Sequence, residues 1–275
     1  MAAKLGTIAA IGFDDFKSPQ WLQTLRAMGC STVQAYRNTE ADVSLEEMLD
    51  YIAAGTMPCD SLHGVYGEQY DPSCPDERAR LFAVDAFKSE GELALKLGGP
   101  LVVVHCSTIR PDGVDPDERR VRVAQLRKSI EELGRYGSEV GVTYAFENLP
   151  AYHPVGSDVA ELAHILEQVG APNTGMCFDT GHANMVTDAA DAARRAGRHM
   201  VYCHFCDNSG QADEHLMPTY GSLDTDAVAR ALHEIGYAGT MMLETFYQLD
   251  ELKRFIDDGC PDRLRHIIAT VNGDN

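Results

Sequence analysis

Four short apolar runs in this chain end on residues that bind metals or move protons. Ala145-Phe146 leads into Glu147, Asn148, Leu149 and Pro150. Met176-Cys177-Phe178 leads into Asp179, with His182 just beyond. Met200-Val201-Tyr202-Cys203 ends on His204, and Met241-Met242-Leu243 ends on Glu244. His63 and His105 close two earlier apolar segments, and Asp213 and His215 lie in the polar stretch after His204. Charged side chains are costly to bury unless they are paired or hold a cation. Three carboxylates at one mouth would repel each other, and a divalent ion removes that penalty. Carboxylates with imidazoles and no thiolate favour Mn²⁺, Zn²⁺, Co²⁺ or Mg²⁺. Such an ion polarises a carbonyl and acidifies the neighbouring C–H, so a flanking carboxylate can take the proton and return it elsewhere. The substrate expected is a small polyhydroxy carbonyl compound. Glu147 and Glu244 are the candidate proton carriers, one on each side of it.

The elements that must position these residues alternate. Strands are expected at Leu5–Phe13, Thr32–Tyr36, Cys59–Val65, Leu101–His105, Thr143–Asn148, Thr174–Asp179, Met200–Phe205 and Thr240–Glu244. Helical patterns separate them. Ser18 and Pro19 suit an N-cap and first helical position, for a helix to about Met28. Ser44-Leu45-Glu46-Glu47 reads as a capping box, for a helix to about Ala54. Further helices are expected from just after Pro75 to about Leu97, Asp117 to Tyr136, Ser157 to Val169, Ala189 to Arg195, from a cap at Asp224 or Thr225 to Ile235, and Asp250 to Val271. Val121, Leu126, Ile130 and Leu133 mark the expected inner face of the fourth. Near-continuous apolar strands are typical of parallel sheets covered on both faces. Eight such units predict a single (β/α)8 barrel over residues 1–275, whose working residues lie at the C-terminal ends of the strands. That rim collects His63, His105, Glu147, Asp179, His182, His204 and Glu244, with Asp213 and His215 from the loop after strand seven. His153, His164, His199, His233 and His266 fall elsewhere and receive no role.

The length of 275 residues suits such a barrel, which typically runs to about 250. No apolar run is long enough to span a membrane, and the N-terminal residues do not read as a signal peptide. The eight cysteines form no dense framework, and Cys203-x-x-Cys206 has no second pair to complete a zinc site. A reducing, cytoplasmic setting is expected. A net charge of −19 disfavours nucleic acid as the main partner, because binding it needs clustered Lys and Arg.

Several motifs carry a resemblance. They are Phe146-Glu147-Asn148, Asp179-Thr180-Gly181-His182-Ala183-Asn184, His204 with Asp207-Asn208, Asp213-Glu214-His215-Leu216, Gly221-x-Leu223-Asp224, Ile235-Gly236-Tyr237-x-Gly239 and Leu243-Glu244. Over nearly its whole length the chain resembles the xylose isomerase-like barrel superfamily of sugar-phosphate isomerases and epimerases. The likeness to ketose 3-epimerases and hydroxypyruvate isomerases implies a metal held by Glu147, Asp179, His204 and Glu244. It also implies proton exchange by Glu147 and Glu244 through an enediolate, contact of His182 with substrate hydroxyls, and assembly into homo-oligomers. Apurinic endonuclease type IV is a second relative, with three zinc ions on nine ligands. That likeness implies one metal on His63, His105 and Glu147, a second on Glu147, Asp179, His204 and Glu244, and a third on His182, Asp213 and His215. Two departures stand out. Leu216 to Gly221 replaces the usual Pro-Gly-x-Gly turn, leaving Tyr220 either facing substrate or packed. No arginine closely follows His204, as it does in the sugar epimerases.

The leading expectation is therefore a metal-dependent isomerase or epimerase of a small sugar, sugar phosphate or hydroxy-keto compound. A dehydratase acting on a keto-inositol or dehydroshikimate-like compound would use the same proton abstraction to expel a β-hydroxyl. A multi-zinc phosphodiesterase and a non-catalytic sugar-binding barrel are the other readings.

Overall fold

A computed structural model describes residues 2–274. Strand β1 (Lys4–Ile11) is followed by helix α1 (Pro19–Ala27), β2 (Thr32–Arg37) by α2 (Leu45–Ala54), and β3 (Cys59–His63) by α3 (Glu77–Leu97). Next come β4 (Leu101–His105), α4 (Pro116–Val140), β5 (Thr143–Glu147) and α5 (Val159–Val169). β6 (Thr174–Asp179) runs straight into α6 (Thr180–Val186), with α7 (Ala189–Ala196) after it. β7 (Met200–His204), α8 (Thr225–Glu234), β8 (Thr240–Leu243), α9 (Leu249–Asp257) and α10 (Cys260–Asn272) complete the chain. The eight strands close in sequence order, every pair parallel, with β8 returning to β1 through Lys4↔Thr240 to Thr7↔Leu243.

Burial along the strands explains their apolar composition. Every residue of β1 after Lys4 is buried, and β8 is buried throughout. Ile8, Val33, Leu62, Val103, Phe146, Phe178 and Met242 are fully enclosed. At the N-terminal end of the barrel a polar cluster replaces this packing. Asp60 accepts from Tyr202 Oη at 3.0 Å and Thr240 Oγ1 at 2.6 Å, and pairs with Lys4 Nζ at 3.3 Å.

Local sequence sets most helix starts. The Ser44–Glu47 capping box forms as expected. Asp76, Asp115, Asp158, Asp188 and Asp224 cap α3, α4, α5, α7 and α8. Ser18 takes the N-cap position of α1, but its side chain makes no capping bond. Val121 is not on the inner face of α4: it is exposed, while Leu126, Ile130 and Leu133 are buried. The expected C-terminal helix is two helices, broken at Gly259, whose φ of 77° favours a residue without Cβ. α6 was not expected at all.

Candidate metal centre

Strand register sets the level of each rim residue. His105 pairs with Glu147 across β4 and β5, and Asp179 with His204 across β6 and β7. Glu244 follows the last residue of β8. Glu147, Asp179, His204 and Glu244 are all buried and offer ligand atoms within 4.8 Å of one another. His204 Nδ1 lies 2.8 Å from Glu147 Oε1, 2.8 Å from Glu244 Oε2 and 3.9 Å from Asp179 Oδ2. Asn148 locks β5 to β6 beneath them. Its Nδ2 donates to the Asp179 carbonyl at 2.9 Å, and its Oδ1 accepts from the Asp179 N–H at 2.8 Å. Asp179 also caps α6, accepting from the His182 N–H at 2.6 Å. The Phe-Glu-Asn and Asp-Thr-Gly-His motifs thus form one clamp.

The protein balances these charges unevenly. Burial alone would raise Glu244, but His204 and His215 beside it bring it down to about 2. Glu147 is likewise held well below the usual carboxylate range, with His204 and His105 outweighing its burial. Asp179 goes the other way, to about 6, because burial and the neighbouring Glu147 and Glu244 carboxylates outweigh His182 and His204. His204 is pushed well above its ordinary value: burial opposes its charge, but Cys177, Glu244 and Glu147 overcome that opposition. His63 falls to about 4, through burial and the neighbouring His105.

The donor set fits a cation. Glu147 Oε2 and His204 Nε2 are buried with no hydrogen-bond partner. Neutral His63 donates Nδ1–H to the Gly64 carbonyl at 2.9 Å, so its Nε2 lone pair faces Glu147 Oε2 at 4.0 Å and Glu244 Oε1 at 3.9 Å. Acceptor facing acceptor is unfavourable unless something positive lies between them. His63, His105 and Glu147 form a second group within 4.8 Å, with His105 Nε2 at 3.2 Å from Glu147 Oε2. Glu147 is therefore shared between both groups.

His182, Asp213 and His215 are neighbours arranged as ion pairs. Asp213 Oδ2 lies 3.3 Å from His182 Nε2, and Oδ1 lies 3.4 Å from His215 Nε2. Burial opposes charge on both imidazoles, but Asp179 and Asp213 raise His182 to about 10, and Asp213 and Glu244 raise His215 to about 9. Asp207 holds the loop that delivers Asp213 and His215. Its carboxylate accepts from the N–H groups of Asn208 (2.8 Å), Thr219 (3.1 Å), Gly221 (2.8 Å) and Leu223 (2.9 Å). A Cβ at Gly221 would come within 2.3 Å of Asp207 Oδ1. Asp207→Ala strands these donors and should destabilise the chain by about 3 kcal/mol or more. Urea denaturation measures this, and a loss under about 1 kcal/mol would mean the loop is held by other contacts.

A cavity of about 170 Å³ adjoins the centre, lined in part by Tyr66, His105, His153, His182 and Asp213. Sequence reasoning missed His153, whose only signal was its place in the loop after Glu147. It is buried, and its Nδ1 donates to the Ser107 carbonyl at 3.0 Å. Tyr36, Tyr66 and Phe246 form an aromatic wall against His63 and His215. Tyr220 takes the packed alternative, with its hydroxyl on Asp258 and Arg263 and its ring against Phe255. His164, His199, His233 and His266 line no part of this cavity. Cys203 and Cys206 are free and buried, as are five of the other six cysteines. A larger groove of about 460 Å³, at the opposite end of the barrel, contains none of the candidate ligands.

The fold and the rim together define a (β/α)8 barrel with a buried carboxylate–imidazole centre. The sequence profile of the xylose isomerase-like TIM barrel family matches residues 22–259, and the chain belongs to that family. An uncharacterized protein of Methanocaldococcus jannaschii is 28% identical over 191 residues, covering 66% of this chain and 63% of the relative. The chain thus spans under two thirds of that relative's length. D-psicose 3-epimerase of Enterocloster bolteae is 28% identical over 125 residues, covering 45% of this chain and 40% of that enzyme. Among solved structures, a D-tagatose 3-epimerase-like protein superposes with a TM-score of 0.79 at 19% identity, covering 98% of this chain and 99% of that one. At that identity the likeness establishes the fold.

Proposed function

We propose that the chain is a divalent-metal-dependent isomerase or epimerase of a small polyhydroxy carbonyl compound. The observation that carries this reading is the buried group Glu147, Asp179, His204 and Glu244, whose ligand atoms lie within 4.8 Å of one another. These four residues would hold the ion, which when bound polarises the substrate carbonyl and acidifies the adjacent C–H. Glu147 and Glu244 lie on either side of His204, so one takes the proton from a substrate carbon, and a proton comes back either from that same group to the neighbouring carbon of the enediolate or from the other, once it has taken one from water, to the opposite face. Both carboxylates are held in the ionised form needed by a base. The His182 ring donates Nδ1–H to the Asn148 carbonyl at 2.8 Å, which fixes it against the cavity wall to meet substrate hydroxyls. The similarity to a D-psicose 3-epimerase supports the reaction class. Incubating the Mn²⁺-loaded protein with free ketoses in D2O should place deuterium next to the carbonyl, seen by NMR. No exchange with any free or phosphorylated ketose under Mn²⁺, Co²⁺, Zn²⁺ or Mg²⁺ would exclude the reading.

One observation favours a second reading, a multi-zinc phosphodiesterase. Glu147 is shared with His63 and His105, and His182, Asp213 and His215 stand beside them. Three zinc ions per chain with cleavage of a phosphodiester would establish it. One ion per chain with deuterium exchange would exclude it.

A further inference from the structure

The cavity beside the centre is built for one kind of molecule. Among the described residues no Lys or Arg lines it. The nearby Arg110 is turned onto the Ile109 carbonyl at 3.0 Å and lies 4.0 Å from Glu68. The His182 ring, which also lines it, is already paired with the Asp213 carboxylate at 3.3 Å, so it is not free to hold an anion.

The backbone offers an anion no better welcome. (β/α)8 barrels commonly bind phosphate on the loops after strands seven and eight and at a helix N-terminus. Here the N–H groups after β7 that could cradle a phosphate already bind the Asp207 carboxylate. From β3 to β7 the helix after each strand starts on its own carboxylate cap, at Asp76, Asp115, Asp158, Asp179 and Asp224. After β8, the Glu251 carboxylate accepts the Gln248 N–H at 2.8 Å.

His153 supplies the complementary feature. Its side chain is more than nine-tenths buried and lines the cavity. Nδ1 donates to the Ser107 carbonyl, so the neutral ring carries its lone pair on Nε2, which meets no protein donor among the described residues. Ser107 Oγ is committed to the Val155 carbonyl at 2.7 Å and cannot serve as that donor. An acceptor of this kind takes a hydroxyl proton and repels an anionic oxygen. The cavity is below the usual size for drug-like ligands, which suits a molecule of a few carbons.

We propose that His153 is the specificity-determining residue of this site. Its Nε2 accepts the hydroxyl at the end of the substrate remote from the metal ligands, so the chain takes an uncharged polyhydroxy carbonyl compound and rejects the corresponding phosphate ester. This rests on the isomerase reading above.

The test uses the Mn²⁺-loaded full chain and solvent deuterium exchange with D-fructose against D-fructose 6-phosphate, and D-ribulose against D-ribulose 5-phosphate. Wild type should exchange at least one free ketose and neither ester. His153→Leu should raise KM for that ketose about tenfold while kcat stays within about threefold. His153→Gln, which keeps an acceptor, should restore most of the loss; a purely structural role would show no such split or rescue. Esters exchanged as readily as free ketoses would overturn the proposal without any variant being needed. So would a KM indifferent to His153, and in both cases the isomerase reading would survive. No exchange with any of the four compounds under any metal would remove that reading, and this proposal with it.

Discussion

Glu244→Gln is expected to lower turnover by about 10³-fold while leaving the barrel folded. Glu244 Oε2 lies 2.8 Å from His204 Nδ1, and its side chain is buried. Gln preserves the volume but can neither take nor deliver a proton, so one of the two proton transfers stops. It also removes one of three buried negative charges, so metal affinity should fall as well. The fold should persist because β8 is held by β1 and β7 through backbone pairing, and Glu244 lies beyond the last paired residue. Deuterium exchange measures turnover, calorimetry measures Mn²⁺ affinity, and circular dichroism gives Tm. Turnover within about threefold of wild type would remove Glu244 from proton transfer.

Metal uptake should release protons, and affinity should fall steeply as pH drops. Ligands must be deprotonated to bind a metal. Without metal, His204 keeps Nδ1–H between Glu147 and Glu244, and Cys177 with those carboxylates outweighs burial and holds the ring protonated well above its ordinary value. At neutral pH the ion must therefore displace that proton, so affinity rises with pH. Asp179, raised to about 6, adds a second proton to displace as pH falls below that value. The slope of log affinity against pH should thus steepen from about one near pH 7.5 to about two below pH 6. Titration calorimetry in buffers of different ionisation enthalpy counts the protons. No release at pH 7 would mean that the ion does not displace the His204 proton.

The strand ends were readable because each combines an apolar run with an abrupt chemical change. Val103 to His105, Phe146 to Asn148 and Phe178 to Asp179 all fell where expected, within a residue or two. The Ser44 cap was also readable, because it acts on an N–H three residues away. α6 was not, because Asp179 ends a strand and caps a helix at once, leaving no loop to mark the change. The exposure of Val121 was misread because periodicity locates a helical stripe only to within a residue or so.

The chain alone determined the kinds of groups available and which strand each would end. Those follow from neighbouring residues, through burial of continuous apolar runs and capping of nearby N–H groups. Only the closed barrel decided that Asp207 fills the backbone donors after β7 and that His153 faces the cavity. These depend on distances between segments far apart in sequence. Pairing of β8 with β1 and the register of each strand set those distances, and residue order by itself carries no measure of them.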